Sequence, residues 1–334
     1  MLTGAWSRPP TSGAGGFPRH VAARRRLKYV VSLSRAGMNG AIVDSLVTSF
    51  RRAGARRRGT QETSMRYVQT KAGQLRVIDT GGSDPTVVLT PDGPCVIEHC
   101  DALIQSFSKQ FRVICFDMPG VGFSFPSYDY RFGIAESADF IVELLDILSV
   151  PKAAFAFTCA NGFVAMNLAK RYPHRVSHLV LAQTPSLDSM RKWADRNIPK
   201  PLRIPYVGQV VGAVKAEFLA THWFDLALPR GSEFKSSFVA QARKAVTAGG
   251  CFCLASTVQG LLQSHEDDIR GVQCPTLVMH GDSDFSHKHT DFQSITDPIP
   301  HAQVIAFAGC GHFPNLERRS EYIDHVQRFL LRSG

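Results

Sequence analysis

Phe157-Thr158-Cys159-Ala160-Asn161-Gly162 stands between two apolar runs, Ala153 to Phe157 before it and Phe163 to Ala169 after it. The first run has the length of a buried strand, and the second has helical spacing. A strand that passes into a helix through so short a corner projects the corner residue clear of both elements, which is one way a buried sheet presents a nucleophile. Cys159 occupies that corner. A thiol is a weak nucleophile until a base raises its thiolate fraction, and the base needs a third group to orient it. A chain built for that chemistry carries an acid and a histidine at further strand ends.

Past Met65 the punctuation is regular. Arg66 to Gln69 and Gln74 to Asp79 read as strands around a turn at Lys71-Ala72-Gly73. Further strands are expected at Thr86 to Thr90, Arg112 to Phe116, and residues 153–157, 178–182, 276–280 and 303–307. Helices are expected at Asp101 to Lys109, Ile134 to Leu148 and 162–171, with a closing helix that aligns Tyr322, Val326, Phe329 and Leu330. Strands alternating with helices predict a mostly parallel sheet covered on both faces. The alternation breaks between about Ser186 and Asp268, where helical patterns carry Trp193, Phe218, Trp223 and Phe224. This stretch reads as a helical cap above the carboxyl ends of the strands, the edge at which open α/β sheets bind ligands. A small second domain of unrelated purpose is the alternative.

The acid and the histidine follow in order. After strand 276–280 comes Gly281-Asp282-Ser283-Asp284, and after strand 303–307 comes Gly309-Cys310-Gly311-His312-Phe313. Phe116-Asp117-Met118-Pro119-Gly120-Val121-Gly122-Phe123-Ser124 resembles a D-x-P-G-x-G-x-S turn after a fourth strand. Lys170-Arg171-Tyr172-Pro173, followed by Arg175-Val176, resembles the end of the helix behind a nucleophile.

With these motifs in this order, the chain from about Arg66 to Gly334 resembles an α/β-hydrolase fold enzyme with a cap, similar to esterases, C–C bond hydrolases and dehalogenases. The resemblance implies an α/β architecture with a mostly parallel eight-stranded sheet and helices on both faces. The core would comprise 66–185 and 269–334, with the cap, 186–268, inserted after the sixth strand. It puts Cys159 in the nucleophile position, because Pro173 falls fourteen residues later. Thr158, flanked by small Ala156 and Ala160, is the second candidate. The G-x-x-D turn favours Asp284 as the acid, leaving Asp282 as a turn residue, and Gly311-His312 makes His312 the base. Oxyanion donors would be the N–H groups of Ala160 and of Gly93 in Pro91-Asp92-Gly93-Pro94. The chain departs from the family pattern at three places. Phe157 and Asn161 stand where small residues are usual; Asn161 tolerates a left-handed backbone, whereas Phe157 either points away from the crowded side or relaxes the turn. Pro91-Asp92 replaces the usual His-Gly, and Asp92 turned inward would repel an oxyanion; a plain turn is the other reading of this loop.

The remaining features set limits. Residues 1–65 hold 12 Lys/Arg against Asp44 and Glu62, so the net charge of +10 resides there and the rest of the chain is neutral. The folded part therefore offers no case for nucleic-acid binding. This basic stretch reads as a disordered extension: an upstream extension of the gene model with Met38 or Met65 as the start, a tail for acidic partners, or a transit peptide. Residues 41–54 suit a short amphipathic helix under each. No apolar run approaches the roughly 18–20 residues of a membrane span. The eight cysteines fit no disulfide scaffold and read as free thiols in a reducing compartment. That compartment is the cytoplasm, or an organelle if a transit peptide is present. His287-Lys288-His289 and Cys251-Phe252-Cys253 lack the second half of a zinc pattern and read as a solvated loop and as helix packing. His280 reads as a hydrogen-bonded strand-end residue and Cys310 as turn packing. No metal and no cofactor is called for.

The expected activity is hydrolysis of an activated ester, lactone, thioester or C–C bond of a small hydrophobic substrate through an acyl-Cys159 intermediate. An acyltransferase on the same three groups and a non-catalytic binding protein on the same fold are the alternatives. Dehalogenation is disfavoured, because the dehalogenases of this group carry a carboxylate where Cys159 stands.

Overall fold

The computed structural model describes residues 40–57 and 66–332; the segments 1–39 and 58–65, on which most of the expected basic extension falls, lie outside the described residues. The sheet opens with an antiparallel pair, β1 (Arg66–Thr70) and β2 (Gly73–Asp79). Parallel strands follow: β3 (Thr86–Thr90), β4 (Arg112–Phe116), β5 (Ala153–Thr158), β6 (Val176–Ala182), β7 (Thr276–Gly281) and β8 (Gln303–Phe307). The spatial order is β1-β2-β4-β3-β5-β6-β7-β8, with the short segment Phe125–Pro126 paired onto β2. β5 therefore lies at the centre, in register with β3 (Thr90 opposite Phe157) and β6 (Ala182 opposite Thr158).

Both faces of the sheet are apolar, which is why its strands read as near-continuous hydrophobic runs. The two-residue period of a strand sends Phe155 and Phe157 to one face and Ala154 and Ala156 to the other. The first face packs on α3 (Ile134–Ile147) and α4 (Ala160–Arg171), whose Leu144, Phe163 and Met166 are fully buried. The second packs on α2 (Asp101–Phe107) and the closing α11 (Arg319–Arg332) through Phe107, Tyr322 and Val326. Between β6 and β7 run α5 (Leu187–Asn197), α6 (Val207–Val214), α7 (Ala216–Ala227), α8 (Lys235–Thr247) and α9 (Leu254–Leu262). A four-residue helix, α10 (Pro314–Glu317), precedes α11. The stretch Cys251-Phe252-Cys253, expected to pack in a helix, instead pairs Cys251–Phe252 antiparallel with Val121–Gly122. None of the described helices is long and apolar enough to cross a membrane, and all eight cysteines are unpaired.

One buried ion network fixes the loops above the sheet. Arg76 on β2 is fully buried; its Nε donates to Asp117 at 2.8 Å, and its two terminal nitrogens donate to Glu98, each at 2.7 Å. Asp117 also accepts from the Ile97 N–H at 2.9 Å. The D-x-P-G-x-G-x-S turn closes on the same group: the Arg76 N–H donates to Ser124 Oγ, and a Cβ on Gly122 (φ 54°) would come within 2.6 Å of Asp117. Only glycine meets both demands at that position.

The short helix expected at 41–54 is present, and its docking on the fold goes beyond the sequence reading. Ala41–Arg57 forms helix α1, and it is anchored to the fold. Asp44, 5 % exposed, accepts from Ser256 Oγ on α9 at 2.6 Å, and Arg51 donates to the Ala213 carbonyl on α6. On the core side Ser45 Oγ donates to the Ser127 carbonyl at 2.9 Å, and Arg52 lies over the Phe125 ring. A net-charge argument misses this, because a few buried polar contacts and the apolar stripe of Ala41 and its neighbours outweigh the charge on the exposed face.

Two outcomes follow from these contacts. Arg76→Ala leaves Asp117 buried without its cation and should lower unfolding free energy by roughly 3–5 kcal/mol, read from urea denaturation; a change below 1 kcal/mol would discount the network. Burial raises the Asp44 carboxyl from 3.8 to about 6, against the opposing Ser256 hydrogen bond and the Arg51 charge. A folded-state value above the ordinary one means that docking of α1 is favoured at low pH and loses that contribution as pH rises through about 6. Amide exchange in α1 should therefore slow, relative to intrinsic rates, between pH 7.5 and 5.5, and Asp44→Asn should abolish the difference.

Candidate active site

The corner after β5 is strained as its sequence suggests. Cys159 adopts φ 52°, ψ −124°, a conformation that non-glycine residues adopt only under constraint. The constraint comes from both sides: the Cys159 N–H donates to the Ala182 carbonyl at 2.7 Å, and Thr184 Oγ1 donates to the Cys159 carbonyl at 3.1 Å. α4 starts at once with Ala160, two residues before the expected 162. Thr184 explains the local glycine: a Cβ on Gly162 would lie 2.3 Å from its hydroxyl. The close approach is therefore at Gly162, and Asn161 is tolerated, its Nδ2 donating to the Pro91 carbonyl at 3.2 Å. Phe157 points away from the crowded side. Its ring is fully buried and meets Phe116 and Phe155 edge to face, so the corner keeps its form.

Asp284 and His312 meet in this region. Asp284 accepts from His312 Nδ1 at 2.6 Å, from Gln183 Nε2 at 2.9 Å, and from the Ser286 N–H and hydroxyl at 2.8 and 2.7 Å. Burial pushes its carboxyl up, but the His312 charge and these hydrogen bonds outweigh that and hold it at about 2. Asp282 is exposed and caps the turn, accepting from the Gly309 N–H. Sγ of Cys159 and one ring nitrogen of His312 lie within 4.8 Å of each other. Thr158 ends β5 and is absent from the pocket lining, whereas Cys159, Ala160 and Gly93 all line it.

Asp92 does turn inward. Its carboxylate lies 3.0 Å from His312 Nε2, the nitrogen that a base would use towards Cys159. His312 is thus held between two carboxylates. Burial opposes its charge, but Asp284 and the hydrogen bonds of both acids raise the imidazole well above its ordinary value. Burial raises Asp92 as well. Burial and the Asp92 charge together push the Cys159 thiol to about 11, against the pull of His312 and the Ala160 N–H.

Two residues near the site escape sequence reading. His287, expected in a solvated loop, is 3 % exposed, stacked flat on Trp193 at 4.9 Å and 5.2 Å from the His312 ring. It lies three residues beyond Asp284, and the Asp284 turn folds it inward; its neighbours Lys288 and His289 are exposed. Gln183 (φ 52°) spans Asp284 and the Gly281 N–H, fixing the acid turn. No spacing signals either role. Cys310 is buried in its turn as expected, whereas His280, at the end of β7, is held by stacking on Phe292 and leaves its Nδ1 buried without a hydrogen-bond partner.

The pocket has a volume of about 120 Å³. Its floor carries Cys159 and Asp92, and its roof comes from the segment between β6 and β7, with Met190, Trp193, Leu219, Trp223 and Val258. The indole N–H groups of Trp193 and Trp223 are buried without a partner.

Residues 93–319 match the model of the alpha/beta hydrolase fold family, and the chain belongs to that family. It is 25 % identical over 265 residues to a 2-hydroxy-6-oxo-2,4-heptadienoate hydrolase of Pseudomonas putida, covering 75 % of this chain and 91 % of that one. A pimeloyl-[acyl-carrier protein] methyl ester esterase of Nitrosomonas europaea is 25 % identical over 252 residues, 74 % and 96 % of the two chains. Among solved structures, a thermophilic esterase from Thermogutta terrifontis superposes with a TM-score of 0.61 at 19 % identity, covering 81 % of this chain and 99 % of that one.

Asp92→Asn removes the anion that faces the thiol. The Cys159 value should fall below about 11, seen as faster alkylation of Cys159 at pH 8; an unchanged pH profile of alkylation would mean that the Asp92 charge does not reach the sulfur.

Proposed function

We propose that this protein is a thiol-dependent acyl hydrolase in which Cys159 attacks, His312 moves the proton and Asp284 orients the imidazole. The observation that carries this reading is a cysteine at a strained strand–helix corner, opening into an apolar pocket beside a histidine whose far nitrogen is bound by a buried carboxylate. In the first half-reaction Sγ bonds to the substrate carbonyl carbon and the thiol proton passes to His312 Nε2. The oxyanion lies towards the N–H groups of Ala160 and Gly93. Its collapse breaks the bond to the leaving group, which takes the proton from His312. Water then attacks the acyl carbon, gives its proton to His312, and the C–S bond breaks as sulfur recovers a proton.

Asp92 fits this scheme as an acid. Asp92 and His312 share one proton between them, a coupled pair rather than two independent groups. When a substrate carbonyl enters, a protonated Asp92 turns its hydroxyl to that oxygen. This frees Nε2 for the thiol and replaces the expected repulsion with a hydrogen bond. A thiolate leaves more readily than an alkoxide, so an activated acyl group, such as a thioester, lactone or aryl ester, suits Cys159 best. The apolar lining and the two unpartnered indole N–H groups suit a small hydrophobic body carrying one hydrogen-bond acceptor. C–C bond cleavage is the second reading. It needs a proton delivered to the leaving carbon, and Asp92 is a donor beside the reacting atoms; the likeness to the heptadienoate hydrolase agrees with it.

Intact mass after brief exposure to aryl esters and acyl thioesters tests the scheme. Wild type should gain one acyl group. Cys159→Ala should gain none, and His312→Ala should acylate at least about 100-fold more slowly, the usual share of a general base. An adduct that survives Cys159→Ala would sink the assignment.

A further inference from the structure

Acyl chemistry leaves one buried group beside this pocket unused. Cys159 Sγ and one ring nitrogen each of His287 and His312 lie within 4.8 Å of one another, and all three residues are buried. His287 Nδ1 is hydrogen bonded to Thr290 Oγ1 at 3.0 Å, while its Nε2 is buried without a partner. Buried polar atoms are nearly always satisfied, so an orphan of this kind asks for a ligand. Trp193, stacked flat on the imidazole, holds the ring in place.

We infer that Cys159, His287, His312 and Asp92 form a site for a divalent ion of the zinc class. The donor set of one thiolate, two imidazoles and one carboxylate suits a borderline-soft tetrahedral cation. Each imidazole already has the outer partner that ligating histidines use: Asp284 on His312 Nδ1 and Thr290 on His287 Nδ1. Asp92 Oδ2 lies 3.0 Å from His312 Nε2, close to the roughly 3.3 Å that separates two donors of a tetrahedron with bonds near 2.0 Å. The ligand atoms of Cys159, His287 and His312 lie within 4.8 Å of one another, a span an ion narrows by drawing the Cys159 and His312 side chains towards the held His287 ring. Two anionic donors cancel the charge of the ion. The thiol proton and the proton shared by His312 and Asp92 leave to solvent, and no electrons move. These four residues stand at 92, 159, 287 and 312, so no sequence spacing announces them.

Metal binding and acyl transfer draw on the same Sγ and Nε2, so the two states exclude each other. The ion is a reversible silencer of the proposed chemistry.

The full chain, freed of metal by chelator and exchanged into buffer, is titrated with Zn²⁺ by calorimetry and with Co²⁺ by absorption. Wild type should bind one ion per chain and give a thiolate-to-cobalt charge-transfer band, and Zn²⁺ should slow alkylation of Cys159 until chelator is added back. His287→Ala and His287→Gln, each checked for folding by thermal melting, should weaken binding at least about 100-fold, since even outer partners contribute 10–100-fold. Cys159→Ser should lose the charge-transfer band. Wild type that binds no ion, or the same stoichiometry and affinity in both His287 variants, would overturn the site, the latter by placing the ion elsewhere. Acylation of Cys159 measured with chelator present reports on the hydrolase reading separately, so failure of one leaves the other standing.

Discussion

The upper edge of this protein depends on a guanidinium buried under its loops. Arg76 comes from β2, yet it binds Asp117 at the end of β4 and Glu98 in the turn that follows Pro91-Asp92-Gly93-Pro94. A charge taken out of water is tolerated only when its hydrogen-bonding capacity is filled, and here two carboxylates and the face of Phe123 fill it. The same Asp117 receives the Ile97 N–H, so the loop that carries Asp92 and Gly93 has little freedom. The pocket floor is therefore placed by an interaction outside the pocket.

Against that fixed loop the corner at Cys159 and the turns at Asp284 and His312 form one electrostatic unit. The imidazole bridges two acids, each on a different strand end, and the thiol faces the same nitrogen as Asp92. In water such a cluster would be screened; buried, each charge sets the protonation of its neighbours. This coupling explains why Asp284 is held low while Asp92 and Cys159 are held high within a few ångströms. One site thus gathers a thiol, an imidazole and two carboxylates, the groups on which the proposed chemistry and the proposed ion both draw.

Much of this architecture is readable without coordinates, for identifiable reasons. β3, β4 and β8 fall on the expected residues because a strand buried on both faces is a short apolar run between turn residues. Asp284 is separable from Asp282 because the G-x-x-D turn sets which carboxylate faces inward. Legibility fails where a residue's setting is made by distant chain. His287 looks solvated beside Lys288 and His289 until Trp193 covers it. Phe157 looks too large for its place until the space beside Phe116 is seen. The inward turn of Asp92 is open in the sequence, since a Pro-Asp-Gly-Pro run suits either a plain surface turn or a buried corner. α1 looks like part of a basic tail, because one buried Asp44 contact counts for nothing in a charge tally.

That helix touches both halves of the molecule. Ser45 and Arg52 hold the edge of the sheet, and Asp44 and Arg51 hold the helices that roof the pocket. A segment stapled to two bodies behaves as a hasp: they cannot separate widely without stretching it or releasing one end. Passage of a bulky guest beneath the roof then becomes a matter of how firmly the hasp is latched, and one part of its latch is a carboxyl group with a proton to gain or lose. The mouth of the pocket is in this way answerable to a contact on the far side of its own roof.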